Sequence, residues 1–599
     1  MSTFDQYFQL PNTKKIVLAE IDIGEEQLFF ANYRAGVYFV NFDNVYADAT
    51  KMEIDSDLLI EVPALTITIT YIGSVRSDGI NLSYVSTAAL VETTEKSFTY
   101  IQDEKNLYIH LEDGEPPQLH TIKIGNMYGL YMGNATSSPE GDGVYRGFPY
   151  DSRMTSISSL SKSKDPLFFG KISYNSATIT INNTDGEYDT WTTDNDVFGS
   201  EVRIYLGFKD IPFSEFRRIF TGYVERVSIG PDSGSITIQD NRKQLSRAVP
   251  NNVFSQSTYP NLRDDDIGKP IPWAYGTILN APVICTNYDE AAPSTYTFKA
   301  ADVSEHIYGI KSVDAAYIDG VTTSVESSSL TNGTFNLYAS AFTNVSDTQK
   351  VSVDFKGYVD SGSALIENGL DVIQDLLSIF YGYTNTTDFY NTTEWATATS
   401  NAFDIGLFMN SPKGVIDWIE EISSSMQGDF IIEDAGTYTY RIYDAARAVS
   451  QEIQSDDLFY TPTYEDDPTE ILTSAKIGYA KNHKNNEHRY FHDKTNESAN
   501  FKIYDTYLEK IFDTILIDVT DATSFSTNIF AISGQVKRIF DIETAYQMVK
   551  REIGDFIHVY VDRPAATMLG RVKAEVIGIS KDLNNSKIQI TCRFIELDP

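Results

Sequence analysis

The sequence predicts a mainly β, multidomain chain with a minor α+β portion. Runs such as "KKIVLAEIDI", "ATITIN" and "EVRIYLGF" alternate apolar and polar residues with period two, and turns rich in Gly, Asn and Asp separate them. The chain carries 38 Tyr and 34 Phe beside abundant Thr, Ile and Val, residue types that suit a pleated, half-buried surface. Its 599 residues are enough for about three to five domains of ~100–200 residues each.

Residues 1–148 read as a β-rich domain, in which "AGVYFVNF" and "ALTITITYIG" follow the first strand. "EDGEPPQLH" at 112–120 reads as a loop, and the Gly-, Ser- and Pro-rich "GNATSSPEGDGVYRG" at 133–147 as a boundary. Residues 149–250 hold "ATITIN", "EVRIYLGF", "RRIFTGYVERVSI" and "SITIQD", split by "NTDG" and "GPDSG", which is the pattern of a small antiparallel sandwich or barrel. Residues 251–360 open on "LRDDDIGKPIPWAYGTILNAPVI", where prolines and glycines rule out a long regular element. Strands return at "YGIKSVDAAYIDG", "GTFNLYA" and "KVSVDFKGY".

Residues 361–460 form an α+β portion. Ile366, Leu370, Ile373, Leu377 and Phe380 make one helical stripe. A second helix is expected with Ser411 as N-cap, Pro412 at its first position and Gly428 at its end, its buried face made by Val415, Ile419, Ile422 and Met426. A hairpin, "GDFIIEDAGTYTYRIYD", follows. Residues 461–599 read as mainly β with a helix near 541–552.

The chain also echoes itself. "GSEVRIYL" at 199–206 matches "GDFIHVYV" at 554–561, "GYVERVSI" at 222–229 matches "GRVKAEVIGI" at 570–579, and "SITIQD" at 235–240 matches "KIQITC" at 587–592. Gly199, Gly222, Gly554 and Gly570 lead the matching strands, and Arg203 corresponds to His558. A duplicated β-domain explains this, and chance agreement between β-hairpins is the alternative.

Acids outnumber bases 84 to 47, a formal net charge of −37 spread along the chain. That field opposes nucleic-acid binding through phosphates and attraction to anionic membranes. It suits the wall of a passage through which DNA slides without sticking. The two cysteines, Cys285 and Cys592, cannot make a disulfide framework or a four-cysteine zinc site. The opening "MSTFDQYFQLPNTKKIV" has no apolar run after a basic segment, so no signal peptide is expected. No run approaches the ~18 apolar residues of a membrane-spanning helix.

Motifs for chemistry are few. An EF-hand placed on Asn183, Asp185 and Gly186 fails, because Ile181 and Thr192 would occupy its first and last ligand positions. Asp-Gly after a Thr/Ile strand signals a hairpin turn instead. His488 and His492 are spaced i, i+4, and with His483 they could hold a metal on a helix. "GYAKNHKNNEHRYFHDK" follows a strand and is dense in Lys and Asn, so a solvated hairpin tip is the reading. No Walker A, G-x-S-x-G, H-E-x-x-H or C-x-x-C occurs, and no cofactor is expected. Carboxylate runs such as Asp264–Asp266 read as solvated faces.

"YDSRMTSISSLSKSKDPLFFGKISYNSATITINNTDGEYDTW" resembles the start of baseplate hub or tail-tip hub proteins of tailed bacteriophages. "FTGYVERVSI…SITIQDNRKQLSRAVP", "IGKPIPWAYGTILNAPVI", "IYGIKSVDAAYIDG" and "GRVKAEVIGISKDLNNSKIQITCRF" resemble their later parts, so the likeness spans about 149–599. It implies two tube-like antiparallel β-barrel domains, at 149–250 and 461–599, with accessory domains at 1–148, 251–360 and 361–460. It implies a homotrimer without enzymatic activity in the virion's tail tip or baseplate, made in the host bacterial cytoplasm. The implied partners are a tail tube or distal tail protein, the tape-measure protein, tail fibres or a central spike, and passing DNA. Asn183, Asp185 and Gly186 would then form a structural turn of the first barrel. The alternatives from other classes are a tail-associated polysaccharide or cell-wall hydrolase and a carbohydrate-binding adhesin.

Overall fold

In the computed structural model, residues 153–598 are described apart from breaks at 166–168, 384–388, 468–470, 496–506 and 562–569 and a few shorter ones, and residues 15–149 as separate strand segments only. The expected loop at 112–120 and most of the boundary at 133–147 lie outside the described residues. The described chain is mainly β, with several sheets and a small set of helices. It divides into two compact units, Met1–Leu160 with Asn175–Asp240 and Lys581–Lys587, and Ser161–Tyr174 with Asn241–Ser580 and Ile588–Pro599.

The first unit contains a seven-stranded antiparallel sheet. Its strands run, in spatial order, Met154–Ile157, Ala177–Asn182, Ser233–Asp240, Arg217–Ile229, Glu201–Phe208, Lys15–Ile23 and Glu26–Phe30. Period-two sequence becomes one buried face: Ile179, Ile181, Val202, Ile204, Ile236 and Ile238 are all fully buried. Burying each such side chain contributes about 1.5–3 kcal/mol. Lys15–Ile23 pairs with Glu201–Phe208, Ile21 opposite Val202, so a strand from the first 148 residues extends this sheet.

The second unit holds an eight-stranded sheet that includes Phe556–Val561, Gly570–Asp582 and Lys587–Asp598, and a seven-stranded sheet that includes Ile310–Ile318, Val351–Tyr358 and Ser474–Asn482. Its core joins Trp273, Tyr275, Phe355, Ile373, Leu377, Ile419, Ile422, Phe525 and Ile529. The helix Gly369–Tyr381 buries Leu370, Ile373, Leu377 and Phe380, while Ile366 precedes it.

Three local expectations are corrected. The second helix is Val415–Met426, capped at Gly414, because Lys413–Gly414 instead pairs with Ala248–Val249; Ser411 and Pro412 lie before it. Gln427, in the left-handed region at φ 55°, ends this helix, and Gly428 starts the next strand. Gly428 has a packing reason: a Cβ there would lie 2.3 Å from the Tyr440 ring. In place of the helix expected near 541–552 stand a strand, Lys537–Thr544, whose Ile542 pairs with Ile590, and a single 3-10 turn, Tyr546–Met548. The helix of this region is Val519–Ser533, N-capped by Asp518, whose side chain accepts from Thr520 N–H at 2.6 Å.

Candidate functional site: two matching strand sets

The Asn-Asn-Thr-Asp-Gly break follows the Ala177–Asn182 strand, but it does not close a hairpin. The next strand, Glu201–Phe208, lies three places along the sheet, with Ser233–Asp240 and Arg217–Ile229 between them. Asn183 anchors the break. It is fully buried, donates from Nδ2 to Asp189 Oδ1 at 2.8 Å and to the Gly230 carbonyl at 2.9 Å, and accepts from Tyr188 N–H at 2.9 Å. Gly186 adopts φ 74° and donates its N–H to the Asn183 carbonyl at 2.9 Å, while Asp185 ion-pairs with Arg153. These residues satisfy one another, which is the work of a turn.

The internal echo is visible as geometry. Gly199 N–H donates to the Val224 carbonyl at 2.9 Å, and Val224 N–H donates to the Ser200 carbonyl at 2.9 Å. Gly554 N–H donates to the Val576 carbonyl at 2.8 Å, and Val576 N–H donates to the Asp555 carbonyl at 2.8 Å. Both glycines take positive φ, 82° for Gly199 and 79° for Gly554. In each set a chain entering through a left-handed glycine runs antiparallel to the front half of a 13-residue strand, and a third strand follows.

Matching through these bonds changes the register read from sequence. Gly222 pairs with Val202, and Ala574 pairs with Ile557 in the equivalent place. Ala574 thus stands where Gly222 does, and Gly570 opens its strand opposite Val561. A Cβ at Gly222 would fall 2.1 Å from the Gln239 carbonyl oxygen, so the two sets share a path but not their packing. Arg203 and His558 do correspond: Arg203 pairs with Thr221 and His558 with Lys573. Arg203 ion-pairs with Glu201 at 2.6 Å, and buried His558 sits 3.5 Å from Glu452 Oε1.

Sequence reading missed the charge cluster beneath the second set. Lys164 Nζ lies 2.7 Å from Asp429 Oδ2 and 2.5 Å from Glu575 Oε1, and Arg593 Nε donates to Glu575 Oε2 at 3.0 Å. All four side chains are buried. Burial pushes the Glu575 carboxyl up, but the Arg593 and Lys164 charges outweigh it and hold the group at about 2. Its only sequence trace is Lys164 in a strand whose neighbours alternate.

The three histidines do not converge. His488 and His492 lie on a strand, Glu487–Thr495, opposite Lys481 and Ile477, so the helical spacing does not apply. His488 Nε2 is 2.6 Å from Asp513 Oδ1, whereas the His483 ring packs against Phe408, centroids 5.3 Å apart. Burial, then the nearby Lys481 and His488, push the His483 imidazole down to about 3. Among the described residues no group of three or more His, Cys, Asp or Glu is placed to hold a metal, and no helix is long and apolar enough to cross a membrane.

No protein-family model and no curated protein sequence matches the chain. Among solved structures it is similar to the 43 kDa tail protein of prophage MuSo2 from Shewanella oneidensis, at 10% identity and TM-score 0.35 over 73% of this chain and 92% of that one. It is similar to a tail protein from Neisseria meningitidis MC58, at 9% identity and TM-score 0.35 over 73% of this chain and 95% of that one. It is also similar to prophage tail protein gp18 from Listeria monocytogenes EGD-e, at 9% identity and TM-score 0.33 over 74% of this chain and 90% of that one.

Proposed function

We propose that the chain is a structural hub of a tailed bacteriophage's baseplate or tail tip. It acts by assembly and gating, without bond chemistry. The observation that carries this reading is the repeated bond pair, Gly199–Val224–Ser200 and Gly554–Val576–Asp555, which marks two strand sets of one design in a single chain. Three chains, each supplying two such sets, make a pseudo-sixfold ring on a threefold axis. That ring matches a sixfold tail tube on one side and a threefold tip on the other.

The acid excess, 84 against 47, supports a role for the ring as part of a DNA channel, because a negative wall repels the phosphate backbone. The partners of this reading are two further copies of the chain, a tail tube or distal tail protein, the tape-measure protein, and fibres or a central spike. The protein belongs in the virion, at the tail tip. Light scattering on the purified full chain tests the oligomer: the expected mass is three copies of the 67.2 kDa chain. A monomer that neither joins tail proteins nor occurs in purified particles overturns the reading.

A further inference from the structure

A cavity of about 440 Å³ opens in the second unit beside the irregular segment that follows residue 250. Its lining carries Arg263, Lys269 and Lys299 against a single carboxylate, Asp266. This reverses the composition of a chain in which acids outnumber bases 84 to 47. Asp266 is already shared, 2.6 Å from Lys269 Nζ and 3.4 Å from Arg263 Nε.

Lys299 has no such partner. It is buried, its ammonium makes one hydrogen bond, to the Asn332 carbonyl at 2.7 Å, and no carboxylate lies within ion-pair distance among the described residues. Burial pushes its pKa down, outweighing the nearby Asp302 charge, which pushes it up. An ammonium has three protons to donate, and a buried charge without a counter-charge is costly. Arg263 Nε is also buried without a hydrogen bond. Cys285, on the same wall, adds no negative charge, since burial pushes its thiol up to about 12. Phe254 and Phe408 supply apolar surface beside these cations.

We propose that this cavity binds a small organic anion, a carboxylate or phosphate monoester bearing an apolar group. The anionic head supplies the ion-pair partner that Lys299 lacks and an acceptor for Arg263 Nε, which shares Asp266 but makes no hydrogen bond, and the apolar group packs against Phe254 and Phe408. This site is independent of the hub reading, because it needs only one chain.

Isothermal titration of the full chain with phenyl phosphate, benzoate and inorganic phosphate tests the site. Phenyl phosphate or benzoate binds with one molecule per chain and more tightly than inorganic phosphate. Lys299→Met, which removes the charge and keeps the length, weakens that binding at least about tenfold. Lys269→Gln, at a half-exposed position, weakens it severalfold, which keeps the test intact if Lys299→Met does not fold. The proposal is overturned if neither organic anion binds, if inorganic phosphate binds as tightly, or if the variants that fold bind as the parent does.

Discussion

Lys164 Nζ donates to Glu575 Oε1 at 2.5 Å, joining side chains 411 positions apart inside a cluster that also holds Asp429 and Arg593. Two charges of each sign share this water-poor space, so each is satisfied only while the others stay. Removing one member of a buried ion pair typically costs about 3–5 kcal/mol, because it leaves an uncompensated charge. Lys164→Met is therefore expected to lower the unfolding midpoint of the second unit strongly in urea. A midpoint within error of the parent contradicts this assignment.

Two groups set separate acid windows. Glu575 is held at about 2 in the folded chain against an ordinary 4.5, so its stabilisation is complete above that ordinary value and is lost as pH falls towards about 2. His483 is held at about 3 against an ordinary 6.5. The unfolded chain takes up that proton first, so stability falls as pH drops from 6.5 towards about 3. Thermal melts across pH should show His483→Asn flattening the upper part of the acid decline, and Glu575→Gln less stable than the parent above about 4.5 with a flattened decline below it. Identical pH profiles for parent and variants contradict both assignments.

The turn at 183–190 behaves as one network. Asn183→Ala removes two donated bonds and one accepted bond, and leaves Tyr188 N–H and the Gly230 carbonyl without that partner. A loss of about 2–4 kcal/mol is expected. Gly186→Val forces a β-branched residue to φ 74° and brings a Cβ within 3.1 Å of Asp189 Oδ2, on the carboxylate that Asn183 holds. Because both changes damage the Asp189 contact, the double variant should fall short of the summed losses by at least about 0.5 kcal/mol. Additive losses in a denaturation cycle show that the two residues act separately.

Much of the strand content was legible, because a sheet with one buried face writes period two into its sequence. "ATITIN" is the strand Ala177–Asn182 to the residue, and "EVRIYLGF" is Glu201–Phe208. Where the signal failed, tertiary contacts decided. Val519–Ser533 is rich in Thr and Ser, which disguise a helix, although Ala522, Phe525, Ile529 and Ile532 mark its buried stripe. Lys537–Thr544 was drawn into a sheet by Lys587–Asp598. The strand-leading glycines Gly199 and Gly554 were readable, but the register of the second strands was not, since bonds to Val224 and Val576 fix it. The Lys164 cluster was hidden because its members are hundreds of residues apart.

In the proposed hub, two strand sets in one chain convert threefold into sixfold symmetry. Single-particle reconstruction of the purified chain, or of tails that contain it, tests this most directly. Three copies around one axis are expected, with the sets entered through Gly199 and Gly554 alternating at six equivalent positions of one ring. A different copy number, or the two sets at different radii, contradicts it.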